Sequence, residues 1–185
     1  SPTSLQRRLN RILLELDMNM DQVVRRMKKD KSFTDQIMKK ITVHTTELFR
    51  DPLIWKKIKN ELLPSLKDQE KIRIWHPGCS TGQEVYSMMI VLDGIGLLEK
   101  SEIYGSDLHD EVIEAARQGK YKYRFNQSYL ENFDRVMLNG EGTFSWSQRK
   151  HWKKYFHIDE GRDIIQMKDY HREKPVYKKL DLVKD

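Results

Sequence analysis

Apolar residues recur at Leu5, Leu9, Ile12, Leu13 and Leu16, the spacing of one helical face, while Arg7, Arg8 and Arg11 occupy the other side. A second, short helix is predicted with Asp21 as its N-cap. Val23, Val24 and Met27 are its apolar positions, and Arg25, Arg26, Lys28, Lys29 and Lys31 make it strongly positive. A third, over 32–40, buries Phe33, Ile37 and Met38. The helical rhythm then stops. Ile41-Thr-Val-His-Thr-Thr-Glu-Leu-Phe-Arg50 is β-branched in its first half and reads as an extended linker and a domain boundary. Asp51-Pro52 supplies an N-cap and a proline at the first helical position, opening a helix along Leu53, Ile54, Ile58, Leu62 and Leu63 that Pro64 ends.

The pattern changes again at Ile72-Arg-Ile-Trp75, a short apolar strand. A glycine-containing loop follows, and then helical spacing at Val85, Met88, Met89 and Leu92. A second strand, 102–107, precedes a helix with Val112, Ile113, Ala115 and Ala116 that Gly119 can terminate. The order β-α-β-α is the signature of a parallel sheet. Residues 120–160 are aromatic, charged and without a clear period. Asn139-Gly140 and Glu141-Gly142 mark turns there, and Trp146, Trp152, Tyr155 and Phe156 are expected to pack locally. Ile164, Ile165 and Met167 form an extended segment, and Val176 to Leu182 a third core strand.

Composition narrows the class. With 38% hydrophobic and 34% charged residues and only short apolar runs, the chain reads as soluble and globular, with no membrane insertion expected. No signal core follows the basic N-terminus and Cys79 is the single cysteine, so a cytoplasmic setting is expected. The net charge of +6 favours an acidic partner, whether nucleic acid, membrane surface or acidic helix. The six histidines lack His-x-x-x-His spacing and have no cysteine cluster beside them, so no metal site is expected.

Candidate chemistry gathers around the first strand-to-helix turn. Gly78 and Gly82 flank Cys79-Ser-Thr81, where missing Cβ atoms let backbone approach a ligand. The turn is neither Gly-x-Gly-x-x-Gly nor a loop ending Gly-Lys-Ser/Thr, which argues against a di- or triphosphate. Asp107 closes the second strand, where a carboxylate either caps the next turn or accepts hydrogen bonds from both hydroxyls of an adenosine ribose. Glu84 sits in the first turn of the following helix, where it favours the helix dipole or faces an ammonium group.

His76-Pro-Gly-Cys-Ser-Thr-Gly-Gln-Glu-Val-Tyr-Ser87, preceded by Thr42-Val-His-Thr-Thr-Glu-Leu-Phe-Arg-Asp51, resembles the chemotaxis receptor methyltransferase (CheR) family. The likeness runs from about residue 5 to 182 and is strongest over 41–51, 72–88 and 103–120. It implies an α/β fold: a small all-helical N-terminal domain (1–40), a linker reaching the active site (41–51), and a partial Rossmann-like methyltransferase domain (52–185) that binds S-adenosyl-L-methionine and releases S-adenosyl-L-homocysteine. By resemblance, Thr46 and Arg50 reach the cofactor, Glu84 meets its amino group and Asp107 its ribose. His44 stands where the family more usually has asparagine, and Asp181 with Leu182 where Asn-Leu is typical near the adenine. Leu48 replaces one of two usual phenylalanines. The family's Arg-Asn-x-x-Ile-Tyr-Phe strand is absent, so a C-terminally truncated chain is expected.

The implied reaction is O-methylation of glutamate side chains on chemoreceptors. It needs positioning more than acid–base help, because the carboxylate is already ionised. Arg50 is the candidate active-site charge, its alternative being a surface arginine paired with Asp51. Arg7, Arg8, Arg11, Arg25 and Arg26 are candidates for docking acidic receptor helices. A nucleic-acid methyltransferase is the rival enzyme, although neither Asn-Pro-Pro-Tyr nor Asp-Pro-Pro-Tyr occurs and no nucleic-acid partner is expected. A non-catalytic fragment binding cofactor or receptor is the third reading.

Overall fold

A computed structural model of the chain describes residues 4–41, 46–138 and 149–184. The chain divides into two compact units, 1–44 and 45–185. Among the described residues, no helix is long and apolar enough to cross a membrane.

The first unit is a set of three helices, α1 (Ser4–Leu16), α2 (Met20–Met27) and α3 (Lys31–Ile41). Ile12, Val23, Phe33 and Ile37, one or two from each helix, close a small core that Leu13, Leu16, Met18, Met27 and Ile41 flank. The start of α2 differs from expectation, because Asn19 and not Asp21 is its cap. Asn19 Oδ1 accepts the Gln22 N–H at 2.9 Å while Gln22 Oε1 accepts the Asn19 N–H at 2.8 Å. This reciprocal pair satisfies two otherwise orphaned donors, which Asp21, already inside the first turn, could not do. Asp30 plays the same part for α3, accepting the Phe33 N–H at 2.9 Å.

In the second unit, residues 46–50 are a seated turn rather than a loose connection. Leu48 and Phe49 are fully buried. The Phe49 N–H donates to Ser87 Oγ at 2.8 Å. Its ring meets Trp55 and Phe133 edge-on, with centroids 5.7 and 5.6 Å away. Of the expected linker, Ile41 belongs to α3, and 42–45 lie outside the described residues. Helix α4 (Pro52–Lys57) opens on its proline, but Asp51 is left-handed (φ 57°) and makes no side-chain capping bond. Nor does Pro64 end the segment. A π turn (Ile58–Leu62) leads into a 3₁₀ turn (Leu63–Leu66) in which proline, placed at the start, sacrifices no internal N–H bond.

The core of the unit is a parallel sheet of β1 (Ile72–Pro77), β2 (Ser101–Asp107) and β6 (Val176–Lys179), in the order β1-β2-β6. Helix α5 (Gln83–Gly94) joins the first two strands, and α6 (Asp110–Gln118) follows β2. Val85 to Leu92 are all buried, so α5 is enclosed on every side, as its nearly unbroken apolar sequence requires. Gly119 ends α6 in the expected left-handed conformation, φ +54°. The strand expected over 176–182 is shorter, and only Tyr177 of it is buried. On the other face of the sheet the cross-strand row Trp75, Tyr104 and Val176 stays 54%, 37% and 56% exposed.

Between α6 and β6 the chain builds a second, antiparallel sheet of β3 (Lys120–Lys122), β5 (Ile164–Met167) and β4 (Phe156–Asp159), with β5 central. The stretch without a clear period holds helices α7 (Tyr123–Met137) and α8 (Arg149–Tyr155), and a short α9 (Asp169–Arg172) precedes β6. Trp152, Tyr155 and Phe156 do not pack merely locally. They join the main core with Phe133 and α5, where Trp152 Nε1 donates to Asp134 Oδ1 at 2.8 Å and Tyr155 Oη donates to Asp93 Oδ2 at 2.8 Å. Trp146 and the two Asn/Glu-Gly turns lie outside the described residues.

Phe133 links α7, the 46–50 turn and α8 through ring contacts to Phe49 and Tyr155. Phe133→Ala is therefore expected to lower the unfolding free energy by about 3–5 kcal/mol, read as a shift of the urea midpoint at unchanged slope.

Candidate cofactor site

Strands β1 and β2 end side by side, Pro77 opposite Ser106. The chain then turns through Gly78–Gly82 into α5 at the carboxyl edge of the sheet, where open α/β folds bind ligands. Three residues of the turn are left-handed: Gly78 at φ +68°, Ser80 at +50° and Gly82 at +89°. The two glycines serve different ends. A Cβ on Gly78 would meet no atom within 4 Å, so its backbone borders open space. A Cβ on Gly82 would come within 2.9 Å of Ala116 Cβ and 3.0 Å of Tyr177 Oη, so this glycine is required by packing.

Two hydrogen bonds fasten the turn to β2. The Cys79 N–H donates to the Ser106 carbonyl at 2.9 Å, and the Ser80 N–H donates to Asp107 Oδ2 at 2.9 Å. Asp107 Oδ1 also accepts the His109 N–H at 3.3 Å. The carboxylate thus caps the next turn and braces the glycine turn at once, and each oxygen keeps acceptor capacity for a ligand hydroxyl. Beneath it, burial, reinforced by the charges of Asp107 and Glu84, pushes the Cys79 thiol up to about 12. That thiol is protonated at neutral pH and is no nucleophile.

Glu84 lies in the first turn of α5 with its side chain 61% exposed. Its Oε1 sits 2.8 Å from Nδ1 of His76, which is 5% exposed. The bond to His76 outweighs partial burial and holds the Glu84 carboxyl below its usual range. His76 was not singled out from sequence. The alternation Ile72, Ile74, 76 is the signal that places it on the buried side of β1. Tyr121 was missed likewise: its Oη donates to the Thr81 carbonyl at 2.7 Å, bracing the turn from the second sheet.

The remaining expected residues separate into groups. Arg50 is exposed and Thr46 half-buried on the turn that Phe49 fastens to Ser87, and Ser87 Oγ in turn donates to the Gln83 carbonyl at 2.8 Å. They are thus carried on a segment anchored one helical turn from Gly82. Asp181 and Leu182 leave from the same sheet edge as Asp107, since Lys179 lies beside Asp107 and the Leu180 N–H donates to the Asp107 carbonyl at 3.0 Å. The Asp181 carboxylate accepts the Val183 N–H at 3.1 Å and pairs with Lys184 at 3.5 Å, while Leu182 is 58% exposed. His44 lies outside the described residues. Arg7, Arg8 and Arg11 fall on α1, and Arg25 and Arg26 on α2, all in the first unit. Arg26 lies over the Phe33 ring at 4.1 Å, and Arg25 Nε donates to the Asp21 carbonyl at 3.3 Å.

This donor set fits an adenosyl cofactor. Open space adjoins Gly78, a fixed carboxylate closes the neighbouring strand, and an exposed carboxylate opens the helix. The turn runs Gly82-Gln-Glu84 with no lysine to meet phosphates. Among the described residues, no group of three or more His, Cys, Asp or Glu could hold a metal ion. Fold and site together define a partial Rossmann-like domain of the S-adenosylmethionine-dependent methyltransferase class, preceded by a small helical unit.

Comparison with known proteins gives the family. The profile described as "CheR methyltransferase, SAM binding domain" matches residues 44–183, and the chain belongs to that family, with S-adenosyl-L-methionine as its cofactor. A Pseudomonas putida protein provisionally named methyltransferase Cher3 is 35% identical over 134 residues, 72% of this chain and 49% of its own length. A chemotaxis protein methyltransferase of Listeria innocua is 26% identical over 175 residues, covering 88% of this chain and 67% of its own. Chemotaxis protein methyltransferase 1 of Pseudomonas aeruginosa is 27% identical over 125 residues, covering 62% and 46%. The chain thus spans about half the length of most of the curated relatives it matches.

The two glycines separate by substitution. Gly78→Ala meets only the left-handed backbone penalty, about 1–2 kcal/mol, whereas Gly82→Ala adds a clash with Ala116. Thermal unfolding should therefore show Gly82→Ala as clearly the more damaging of the two.

Proposed function

We propose that this chain carries the receptor-docking unit and the cofactor-binding part of an enzyme that methylates glutamate carboxylates on chemoreceptors. The observation that carries the reading is the Gly78–Gly82 turn braced on Asp107 and followed by Glu84. Membership of the family and the names of the relatives support the chemotactic setting.

When bound, the cofactor supplies a methyl group on a sulfonium, a good leaving group for direct displacement. The chain's own task is placement. Asp107 accepts hydrogen bonds from the ribose hydroxyls through the lone pairs that Ser80 and His109 leave free. Gly78 lets backbone lie against the ligand, and Glu84 faces its ammonium group. Thr46 and Arg50, on the anchored turn, approach the same site, with Arg50 holding a carboxylate of cofactor or substrate by charge-assisted bonds. Asp181 and Leu182 complete the pocket, Leu182 offering an exposed apolar side chain to the adenine. No general base is needed, because a glutamate is ionised at neutral pH.

Calorimetric titration with S-adenosylhomocysteine tests the site. One-to-one binding is expected, weakened about tenfold or more by Asp107→Ala, since a hydrogen bond to a charged group contributes roughly 1.5–3 kcal/mol. Binding unaffected by that change would overturn the assignment. Incubated with a receptor cytoplasmic fragment and labelled cofactor, an active chain should give protein-bound label released as methanol by alkali, as a carboxyl ester requires and an N-methyl group does not.

Docking is tested on α2. Arg26 is engaged with Phe33, so its reversal would also disturb the first unit's core. Arg25→Glu with Lys28→Glu and Lys29→Glu, all exposed positions, is the cleaner variant. It is expected to slow receptor methylation while leaving S-adenosylhomocysteine affinity unchanged. Equal loss of both would refute a docking role.

A further inference from the structure

His76 has no part in the reading above, yet it is the only side chain that the structure bonds to Glu84 among the described residues. Its ring is 5% exposed at the end of β1, Nδ1 lies 2.8 Å from Glu84 Oε1, and buried Nε2 has no hydrogen-bond partner among the described residues. Nδ1 is thus the ring atom that faces the carboxylate, and burial holds the ring in place.

A buried ring does something that a long, flexible lysine or arginine at this position would not. It fixes one carboxylate oxygen from a rigid side chain. Glu84 keeps its second oxygen on a side chain that is 61% exposed. We propose that His76 is a positioning residue of the cofactor site: it holds Glu84 in one orientation, so that the free oxygen engages a cationic amino group on the ligand. The inference rests on the assignment of Glu84 to the cofactor's amino group and adds the residue that makes this contact selective.

The test compares S-adenosylhomocysteine with the analogue in which hydrogen replaces the α-amino group, both titrated calorimetrically into the 185-residue chain. The wild-type chain is expected to prefer the amine by about tenfold, the effect of one well-placed charge-assisted bond. His76→Leu should remove most of that preference by weakening only the amine-bearing ligand. His76→Asn, whose side-chain amide places an N–H near the position of Nδ1, should retain it. Glu84→Gln, at an exposed position that does not disturb the buried ring, should abolish it. Asp107→Ala should weaken both ligands alike and leave the preference intact.

If His76→Leu weakens both ligands by the same factor, or neither, the positioning role is overturned and His76 is a packing residue. If the preference survives Glu84→Gln, Glu84 does not face the amine and the proposal fails with that contact. If the wild-type chain binds neither ligand, the cofactor-site reading itself has failed, a result distinct from the other two.

Discussion

The bond from the Ser80 N–H to Asp107 Oδ2, 2.9 Å long, joins two loops that leave neighbouring strands in the same direction. A parallel sheet delivers both loops to one edge but does not fix their distance. The carboxylate does, by accepting one backbone donor from each loop. With the Cys79 to Ser106 backbone bond it makes the glycine turn an extension of β2 rather than a free connection. Everything further along the site inherits this placement. The start of α5, the position of Glu84 and the open space beside Gly78 are all set once the turn is tied down.

Other elements brace the same turn from outside the sheet. Tyr121 reaches the Thr81 carbonyl from the second sheet, and Tyr86 Oη, within α5, donates to the Ala116 carbonyl at 2.6 Å. Burial pushes the Tyr86 hydroxyl up to about 12, so these groups remain donors at any physiological pH. The Phe49 N–H holds the 46–50 turn to Ser87. The Gly78–Gly82 turn is thus held by the Asp107 carboxylate, by the Cys79 to Ser106 backbone bond and by the neutral Tyr121 hydroxyl, while Glu84 stands exposed beside it.

What the sequence made legible follows from periodicity. The run from β1 through α6 could be read because its strands are short and apolar, its helices have an unambiguous period, and Gly119 marks an end. Helix α7 escaped notice because its buried stripe, Tyr123, Asn126, Leu130, Phe133 and Val136, includes a polar member while Phe125 stands 71% exposed. The Asn126 side chain is accommodated by donating to the Lys122 carbonyl at 2.7 Å, a local solution that no hydropathy pattern announces. Asp51 and Pro64 carry strong local signals, but tertiary packing outweighed one and re-used the other. His76 was hidden in a motif whose glycines carry the local signal, because its bond to Glu84 spans eight residues.

Backbone strain links these observations. Phe49, Asp51 and Ser80 are non-glycine residues in left-handed backbone, each at a cost of roughly 1–2 kcal/mol. A phenylalanine accepts that conformation only because burial between Trp55 and Phe133 returns more than the strain removes. Ser80 accepts it because Asp107 takes its N–H. Phe49 and Ser80 lie on the two turns that carry the candidate ligand contacts, and Asp51 directly follows the first. The strain is met by the core and by Asp107 before any ligand arrives, so the ordering of the site draws on folding free energy. Binding free energy is then left for selectivity among ligands, the step at which Glu84, held by His76, would act.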